Sequence, residues 1–328
     1  MSRGAASQPQ VQRVSPPADR RAQLLDDVVR GLADTPPQLP SKWFYDGRGS
    51  ALFEQITQLP EYYPTRAETA ILQAHADALA AAADADELVE LGSGSSTKTR
   101  LLLAAMHRHR PGPTYVPLDV SETAVDGAAE ALQADYPWLE VRGYVGDFEA
   151  DLAALPRRGR RLLAFLGSTI GNLDPDQRPT LLAAMRAACD PDDRLLLGAD
   201  LVKDTDRLLA AYDDPAGVTA AFNRNVLEVV RRELDAEVDP DDFAHAPCWN
   251  AEQDRIEMWL VARRDTVIAL PADGQRWTFA AGEGLRTELS SKFRRDGLSA
   301  ELTAAGFEVQ RWLTDADGDF ALVLAAPR

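Results

Sequence analysis

LVELGSGSSTKTR, residues 88–100, is the stretch of sequence that decides the fold expected for this chain. It begins within the apolar run 87–92, which is typical of a buried strand. Gly92 and Gly94 allow a sharp turn and a close backbone approach to a ligand, and a helix is predicted over 96–108. The first amides of a helix have no partner within it, so the turn predicts a ligand-binding loop. Thr97 stands where the dinucleotide pattern G-x-G-x-x-G needs glycine or alanine, which disfavours a nicotinamide enzyme.

Outward from this turn, apolar strands alternate with helices as far as residue 202. The further strands are predicted at 114–120, 140–148, 160–168 and 194–202. Such alternation indicates parallel strands joined by right-handed helical crossovers. Beyond 202 the alternation stops, and the pattern predicts helix over 204–234 and antiparallel strands within 243–290. A helix near 296–305 and two strands around a DADGD turn follow, which predicts a terminal antiparallel hairpin.

Acidic residues follow two of the predicted strands at the positions where a nucleoside would need them. Asp119 ends the second strand, where its carboxylate can accept from both hydroxyls of a ribose. Asp147 and Phe148 follow the third strand, where a carboxylate beside an aromatic face suits an adenine. Any doubly wound fold places single glycines and aspartates at strand ends. The ordered set, with the terminal hairpin, is typical of class I S-adenosylmethionine methyltransferases, an α/β fold with a Rossmann-like, mostly parallel sheet.

The segment before the first strand carries weaker signals. Residues 1–20 are polar and contain proline, which predicts a disordered tail. Apolar residues at helical spacing over 22–34 predict a helix. Thr65 and Glu68 have the spacing of a capping box, which predicts a helix that begins beside them and runs to about residue 83.

Composition excludes several classes of function. The chain has 328 residues, with 52 acidic and 35 basic side chains and a net charge of −17, which disfavours binding to nucleic acid or an anionic membrane. Cys189 and Cys248 are far apart, and the four histidines lack zinc spacing, so neither a disulfide scaffold nor a metal site is predicted. Without a long apolar run or a signal-peptide pattern, the protein is expected to be cytoplasmic.

Lysine is rare in this chain, with four lysines among the 35 basic residues. A coding bias towards arginine explains the rarity. The four that remain all lie within the sequence motifs quoted below, which weakly suggests functional positions. They are Lys42, Lys98, Lys203 and Lys292.

Long segments of the chain closely resemble one enzyme family, the L-histidine Nα-methyltransferases of ergothioneine biosynthesis. The segments are KWFYDGRGSALFEQITQLPEYYPTRAE (42–68), VELGSGSSTKTR (89–100), FLGSTIGNL (165–173), LVKDTDRLLAAYDDPAGVTAAFNRNVL (201–227), RIEMWL (255–260) and TELSSKF (287–293). The resemblance extends over about residues 22–326. It implies three methyl transfers from S-adenosylmethionine to the α-amino group of L-histidine, which yield hercynine. It also implies a methyltransferase domain (66–202 and 292–328) and a smaller α+β substrate-binding domain (21–65 and 203–291).

The resemblance also implies roles for individual residues. The residues matched to contacts with S-adenosylmethionine are Gly92, Lys98, Asp119, Asp147 and Phe148. The residues matched to histidine contacts are Tyr62 and Asn172 for the carboxylate, Gly167 beside it, Tyr212, Glu288 and Ser290 for the imidazole, and Met258 along the side chain. Tyr45 matches a tyrosine near the reacting amine and is the candidate catalytic residue. The family pattern can carry cysteine at the position of Ser291.

Several alternatives stay open. In one alternative, this chain is a relative of the family that methylates another amino acid such as tryptophan, although the Glu288 carboxylate suits an imidazole better than an indole. The chain could also bind S-adenosylmethionine without catalysis, but its intact set of site residues argues against that. A methyltransferase acting on nucleic acid conflicts with the net charge of −17. No coiled-coil segment is present, so we expect a monomer. The amine proton is expected to leave to water or to a tyrosine.

Overall fold

The computed structural model of the chain describes residues 10–14, 19–94, 98–119, 122–146 and 151–328. The strands are β1 (Gln10–Arg13), β2 (Glu87–Leu91), β3 (Thr114–Asp119), β4 (Glu140–Val145), β5 (Arg161–Phe165), β6 (Arg194–Asp200), β7 (Phe243–Asn250), β8 (Arg255–Ala262), β9 (Thr266–Leu270), β10 (Gln275–Phe279), β11 (Gly284–Ser291), β12 (Phe307–Thr314) and β13 (Phe320–Pro327). The α-helices are α1 (Arg20–Ala33), α2 (Gly47–Gln58), α3 (Tyr63–Ala83), α4 (Thr99–His109), α5 (Glu122–Asp135), α6 (Arg178–Ala187), α7 (Thr205–Ala210), α8 (Val218–Leu234) and α9 (Arg295–Ala304).

The described elements form two compact units. The first contains β1, Arg66–Leu201 and Phe293–Arg328, and the second contains Pro17–Thr65 and Val202–Lys292. No helix within the described ranges is both long enough and apolar enough to span a membrane.

The first unit is built on an eight-stranded sheet with the order β1-β4-β3-β2-β5-β6-β13-β12. Neighbours from β1 to β6 are parallel, and β13 pairs antiparallel with both β6 and β12. Every residue of β2 and β5 is buried, as expected for parallel strands covered on both faces. The predicted Rossmann-like, mostly parallel sheet with a terminal antiparallel hairpin is confirmed.

The predicted disordered tail over residues 1–20 is wrong at residues 10–13. These residues form β1, which pairs in parallel with β4 from Gln10↔Arg142 to Arg13↔Val145. The edge of β4 offers unpaired backbone groups, and a strand added there satisfies them whatever the polarity of its side chains. Val11 also packs on the core of the first unit.

The second unit has a three-stranded antiparallel sheet, β11-β8-β7, and a two-stranded ladder, β9-β10. Helices α1 and α8, with the aromatic segment after α1, pack on this sheet in one hydrophobic core. The register of β11 against β8 shifts between Arg286 and Glu288, which marks a β-bulge around Thr287. This bulge decides which side chains of β11 share a face.

Two helix predictions need correction. The single helix predicted over 204–234 is two helices, because Pro215 and Gly217 interrupt the chain between α7 and α8. Asp214 accepts from the amides of Val218 and Thr219 at 2.9 and 2.7 Å and so caps α8. The capping box predicted at Thr65 and Glu68 is not formed, because α3 begins at Tyr63 and places both residues inside the helix.

Candidate functional site

The turn after β2 holds Gly92 and Gly94 in left-handed backbone conformations, with φ of 65° and 48°. A Cβ added at either glycine would meet no described atom within 4 Å, so there is space beside the turn. The Gly94 amide donates to Asp119 Oδ2 at 3.4 Å, and the Gly92 amide donates to the Leu118 carbonyl at 2.9 Å. Asp119 and the two glycines are therefore brought together at the carboxyl ends of β2 and β3, as a nucleoside site requires.

A buried carboxylate, that of Glu90, lies near the end of β2, two residues before Gly92. Glu90 accepts from the Thr99 hydroxyl at 2.7 Å and from the Tyr115 hydroxyl. Burial raises the pKa of Glu90 to about 7, against the effect of the nearby Lys98 ammonium. Glu90 therefore ties β2 to β3 and to the start of α4 through hydrogen bonds.

Lys98 and Gly167, two of the predicted site residues, are held by the same side chain. The carboxylate of Glu68 on α3 is fully buried and forms an ion pair with the Lys98 ammonium. It also accepts from the Gly167 amide at 2.9 and 3.1 Å. A Cβ at Gly198 on β6 would lie 2.3 Å from Glu68 Oε1, so the glycine leaves room for the carboxylate. Glu68 was not predicted as a site residue, and no periodic pattern identifies it.

The loop after β5 carries Gly167 and Asn172. Gly167 and Ser168 both have left-handed backbone conformations, with φ of 74° and 58°. The Ser168 hydroxyl accepts from the Asp200 amide at 2.9 Å, which stabilises the loop against β6. A short 3-10 helix, Thr169–Asn172, follows and ends on a half-buried Asn172. The other two residues predicted for the cofactor, Asp147 and Phe148, lie outside the described residues.

In the second unit, β11 aligns the residues predicted to contact the imidazole. Glu288 pairs with Met258 of β8, and Ser290 pairs with Ile256. Side chains alternate along a strand and directly opposed residues share a face, so Glu288, Ser290 and Met258 point to one side. Glu288 is half-buried, whereas Ser290 and Met258 are buried. We call this side the reading face of β11.

Tyr212 joins the reading face from the segment after α7. Its hydroxyl lies 2.7 Å from Ser290 Oγ. The ammonium of Lys292 donates to both oxygens, at 2.8 Å to Tyr212 and 2.7 Å to Ser290, and lies 4.8 Å from the Tyr212 ring centroid. All three side chains are buried. The sequence singled out Lys292 only as one of four rare lysines and assigned it no role, although its spacing of two and four residues from Ser290 and Glu288 was visible in TELSSKF.

A second network fixes the bulge beside Glu288. The Thr287 hydroxyl lies 2.5 Å from Asn223 Oδ1 and 3.0 Å from the Met258 carbonyl, and its single hydrogen is donated to one of these two oxygens at a time. Asn223 Nδ2 lies 2.8 Å from His245 Nδ1, and His245 Nε2 lies 2.7 Å from the Tyr212 carbonyl. Burial lowers the pKa of His245, so the ring is neutral, donates from Nε2 to the carbonyl, and accepts at Nδ1. The network connects the backbone at Tyr212 to the strand at Glu288.

Tyr45 and Tyr62 both contact the ring of one phenylalanine, Phe53. The ring of Phe53 has its centroid 5.6 Å from that of Tyr45 and 6.2 Å from that of Tyr62, both in edge-on geometry. Tyr45 also meets the Phe222 ring edge-on at 5.6 Å. Although these rings hold it, Tyr45 is 40% exposed, and it is the one large hydrophobic residue that is exposed in the described part of the chain. Its position is therefore fixed while its surface stays accessible.

Comparisons with known proteins identify the family of the chain. The model of a family described as histidine-specific methyltransferase, SAM-dependent, matches residues 24–327. The chain is 53% identical over 303 residues to the histidine N-alpha-methyltransferase of Mycobacterium tuberculosis (strain CDC 1551 / Oshkosh), which is 92% of this chain and 94% of that protein.

Two further relatives extend the comparison. A protein of the same name from Mycolicibacterium smegmatis is 52% identical over 309 residues, which is 94% of this chain and 96% of that protein. Ergothioneine biosynthesis protein 1 of Neurospora crassa is 29% identical over 289 residues, which is 85% of this chain and 32% of that protein. The matches extend over nearly the whole length of this sequence, and the chain belongs to the family of histidine-specific, S-adenosylmethionine-dependent methyltransferases.

Proposed function

We propose that this protein transfers methyl groups from S-adenosylmethionine to the α-amino nitrogen of L-histidine, three times in succession, and releases hercynine. The observation that carries the proposal is the reading face of β11. Its register places a carboxylate, Glu288, and a hydroxyl, Ser290, side by side with the apolar Met258. A neutral imidazole has one N–H and one lone-pair nitrogen, which a carboxylate and a hydroxyl can each bind.

For the methyl donor, we assign the turn after β2 and its neighbours. The open space beside Gly92 and Gly94 fits close approach of a ligand to the backbone, and the position of the Asp119 carboxylate beside this turn supports its assignment to a ribose. Lys98 supplies a positive charge that Glu68 holds in place. Asp147 and Phe148 are assigned to the adenine on the family resemblance. S-adenosylmethionine, when bound, would supply the methyl group of its sulfonium: the S–CH3 bond breaks as the N–CH3 bond forms, and the neutral thioether leaves with the bonding electron pair.

For the amino acid, Glu288 accepts from the imidazole N–H and Ser290 binds the other ring nitrogen. The family resemblance assigns Tyr62 and Asn172 to the carboxylate, with Gly167 beside it and Tyr212 as a further contact. Met258 lines the side-chain pocket. These groups recognise the substrate through hydrogen bonds that an analogue without ring nitrogens would leave unpaired, and such sites discriminate strongly.

Catalysis depends mainly on positioning the amine, because methyl transfer is an in-line displacement. The amine only has to be neutral and aligned with the methyl group. Tyr45, which is exposed but contacts the rings of Phe53 and Phe222, is assigned to orient the amine. The proton leaves the amine to water or to a tyrosine. Each round replaces one N–H by a methyl group, so the amine rotates about its Cα–N bond between rounds.

The wider setting is part of the same proposal. Hercynine formation is the first step of ergothioneine biosynthesis, and the similarity to the Neurospora crassa protein supports that setting. We propose a cytoplasmic monomer that uses no metal. The one acidic cluster in the described residues, Asp315, Asp317 and Asp319, belongs to the hairpin turn, where Asp315 accepts from the amides of Asp319 and Phe320 at 2.8 Å.

Mass spectrometry tests the proposal. The purified protein is incubated with S-adenosylmethionine and an equimolar mixture of the standard amino acids. We expect histidine alone to gain the mass of three methylene units. A gain on tryptophan or another amino acid instead would contradict the assignments of Glu288 and Met258. Binding of S-adenosylmethionine without any methylated product would contradict the catalytic role.

A further inference from the structure

Lys292 is a buried cation on the reading face of β11. It follows Ser290 by two residues and Glu288 by four, so the three side chains share one side of the strand. Only 4% of Lys292 is exposed, and its ammonium donates to Ser290 Oγ at 2.7 Å and to Tyr212 Oη at 2.8 Å. Moving an ammonium out of water is unfavourable, so an apolar side chain would fill the same space at a lower cost.

The ammonium determines what the two hydroxyls can offer. A lysine ammonium only donates hydrogen bonds, whereas a hydroxyl has one hydrogen and two lone pairs. Tyr212 and Ser290 each accept one bond from Lys292, and one of them donates to the other across 2.7 Å. The phenol of Tyr212 is the stronger acid of the two, so it donates to Ser290, which then accepts twice and retains only its hydrogen. Ser290 therefore presents an O–H donor to a ligand.

We propose that Lys292 is a positioning residue that determines specificity, because it makes the Tyr212–Ser290 pair a hydrogen-bond donor. This inference rests on the proposed function. The pair then binds the ring nitrogen that carries a lone pair, while the Glu288 carboxylate binds the N–H. The site selects the neutral imidazole in a single tautomer. An imidazolium presents an N–H at both nitrogens, so it would oppose the hydroxyl hydrogen and the lysine charge.

Lys292→Met tests the inference, since methionine keeps the length of the side chain and removes both charge and donors. The assay compares kcat/KM for L-histidine with kcat/KM for 2- and 3-pyrrolylalanine. These two isomers each keep one N–H and carry C–H in place of one or the other ring nitrogen. We expect the histidine value to fall by about tenfold or more, the equivalent of one charge-assisted hydrogen bond, and the pyrrolylalanine values to change by less than about threefold.

Two controls separate this role from a purely structural one. Lys42→Met removes an exposed lysine of the same unit, paired with Asp27 at 2.8 Å, and should leave the ratio of histidine to pyrrolylalanine unchanged. The affinity for S-adenosylmethionine should be the same in wild type and both variants. If Lys292→Met loses that affinity or does not fold, Lys292→Gln repeats the test, with an intermediate ratio expected because the amide still donates.

The outcomes are distinct. Equal losses for histidine and pyrrolylalanine, or an unchanged ratio in both Lys292 variants, would overturn the role of Lys292 and leave the proposed function intact. A wild-type protein that does not methylate histidine would overturn the proposed function itself, whatever the variants do.

Discussion

The turn after β2 and the reading face of β11 position their functional groups in different ways. Around the turn, the groups are backbone amides and strand-end carboxylates, and the fully buried Glu68 anchors Lys98 and the Gly167 amide. On the reading face, the groups are side chains of one strand, oriented by a bulge and by the ammonium of Lys292. A site of the first kind follows from the fold, whereas a site of the second kind depends on the register of one strand. Substitutions around the turn after β2 should therefore change the affinity for S-adenosylmethionine, and substitutions on the reading face should change the use of histidine.

Glu288→Ala should produce the largest effect. Removing the carboxylate leaves the imidazole N–H without its acceptor, so kcat/KM for histidine should fall by about a thousandfold. Affinity for S-adenosylmethionine, measured by calorimetry, should not change. The exposed Glu252 provides a matched control, and Glu252→Ala should keep wild-type kinetics. Unchanged turnover of histidine in Glu288→Ala would remove the reading face from the site.

Glu68→Ala should produce the next largest effect, and it should weaken the binding of S-adenosylmethionine. The substitution leaves the Lys98 ammonium and the Gly167 amide without their buried partner, which should cost about 3 kcal/mol in the free energy of unfolding. Affinity for S-adenosylmethionine should drop with it. Glu68→Gln keeps an acceptor for the Gly167 amide but not the charge, so it should recover part of the stability and less of the affinity.

The role of Glu68 in the S-adenosylmethionine site would be contradicted if Glu68→Gln binds S-adenosylmethionine as tightly as wild type and raises only the KM for histidine. That result would place Lys98 outside the cofactor site and make Glu68 a structural residue of the sheet.

Asn223→Ala tests how strongly the bulge controls the reading face. Asn223 is fully buried and joins Thr287 to His245, so its loss leaves His245 Nδ1 without its donor and Thr287 with only the Met258 carbonyl, at a cost of about 2 kcal/mol. We expect the KM for histidine to rise while the affinity for S-adenosylmethionine stays constant. Thermal unfolding, measured in parallel, shows whether the variant is still folded at the assay temperature. A change in affinity for S-adenosylmethionine alone would contradict the role of the network.

The difference between the two regions also explains what could be predicted from sequence. Buried parallel strands are apolar runs, so β2 to β6 and the terminal hairpin were visible, and strand-end logic placed Asp119 beside the glycine turn. Glu288 and Ser290 were proposed as histidine contacts from the family resemblance alone. β1 escaped prediction because QVQR has no apolar pattern, and its backbone alone pairs with β4.

Residues that act through others were harder to find. Glu68 occupies a helix position where a carboxylate is ordinarily solvated or a cap, and only the absence of a side chain at Gly198 makes room for it. The bulge at Thr287 is a property of two strands together, so one sequence read along its length does not reveal it. Lys292 is only two residues from Ser290 in the sequence. Its other partner, Tyr212, comes from a distant segment, so the contact could not be predicted from the sequence.

The smallest effect on catalysis is expected at Glu90, whose titration should instead change the pH dependence of stability. Burial raises the pKa of Glu90 to about 7 in the folded chain, while its ordinary value is 4.5. Because the folded chain binds this proton more tightly, folding is favoured below pH 4.5, and that advantage is lost as the pH rises to about 7. One proton gives a slope of at most about 1.4 kcal/mol per pH unit.

Urea unfolding at several pH values compares wild type with Glu90→Gln, which keeps the shape and cannot ionise. The slope between pH 4.5 and 7 should be less negative in the variant, because glutamine has no proton to lose. The exposed Glu130 serves as control, and Glu130→Gln should retain the wild-type slope. Lys98 and Glu68 face the same carboxylate and act in opposite directions on its pKa, so identical slopes in wild type and Glu90→Gln would mean that Lys98 keeps Glu90 ionised. Lys98 would then divide its charge between two carboxylates, and the turn after β2 would depend on a charge network in the way that the reading face depends on Lys292.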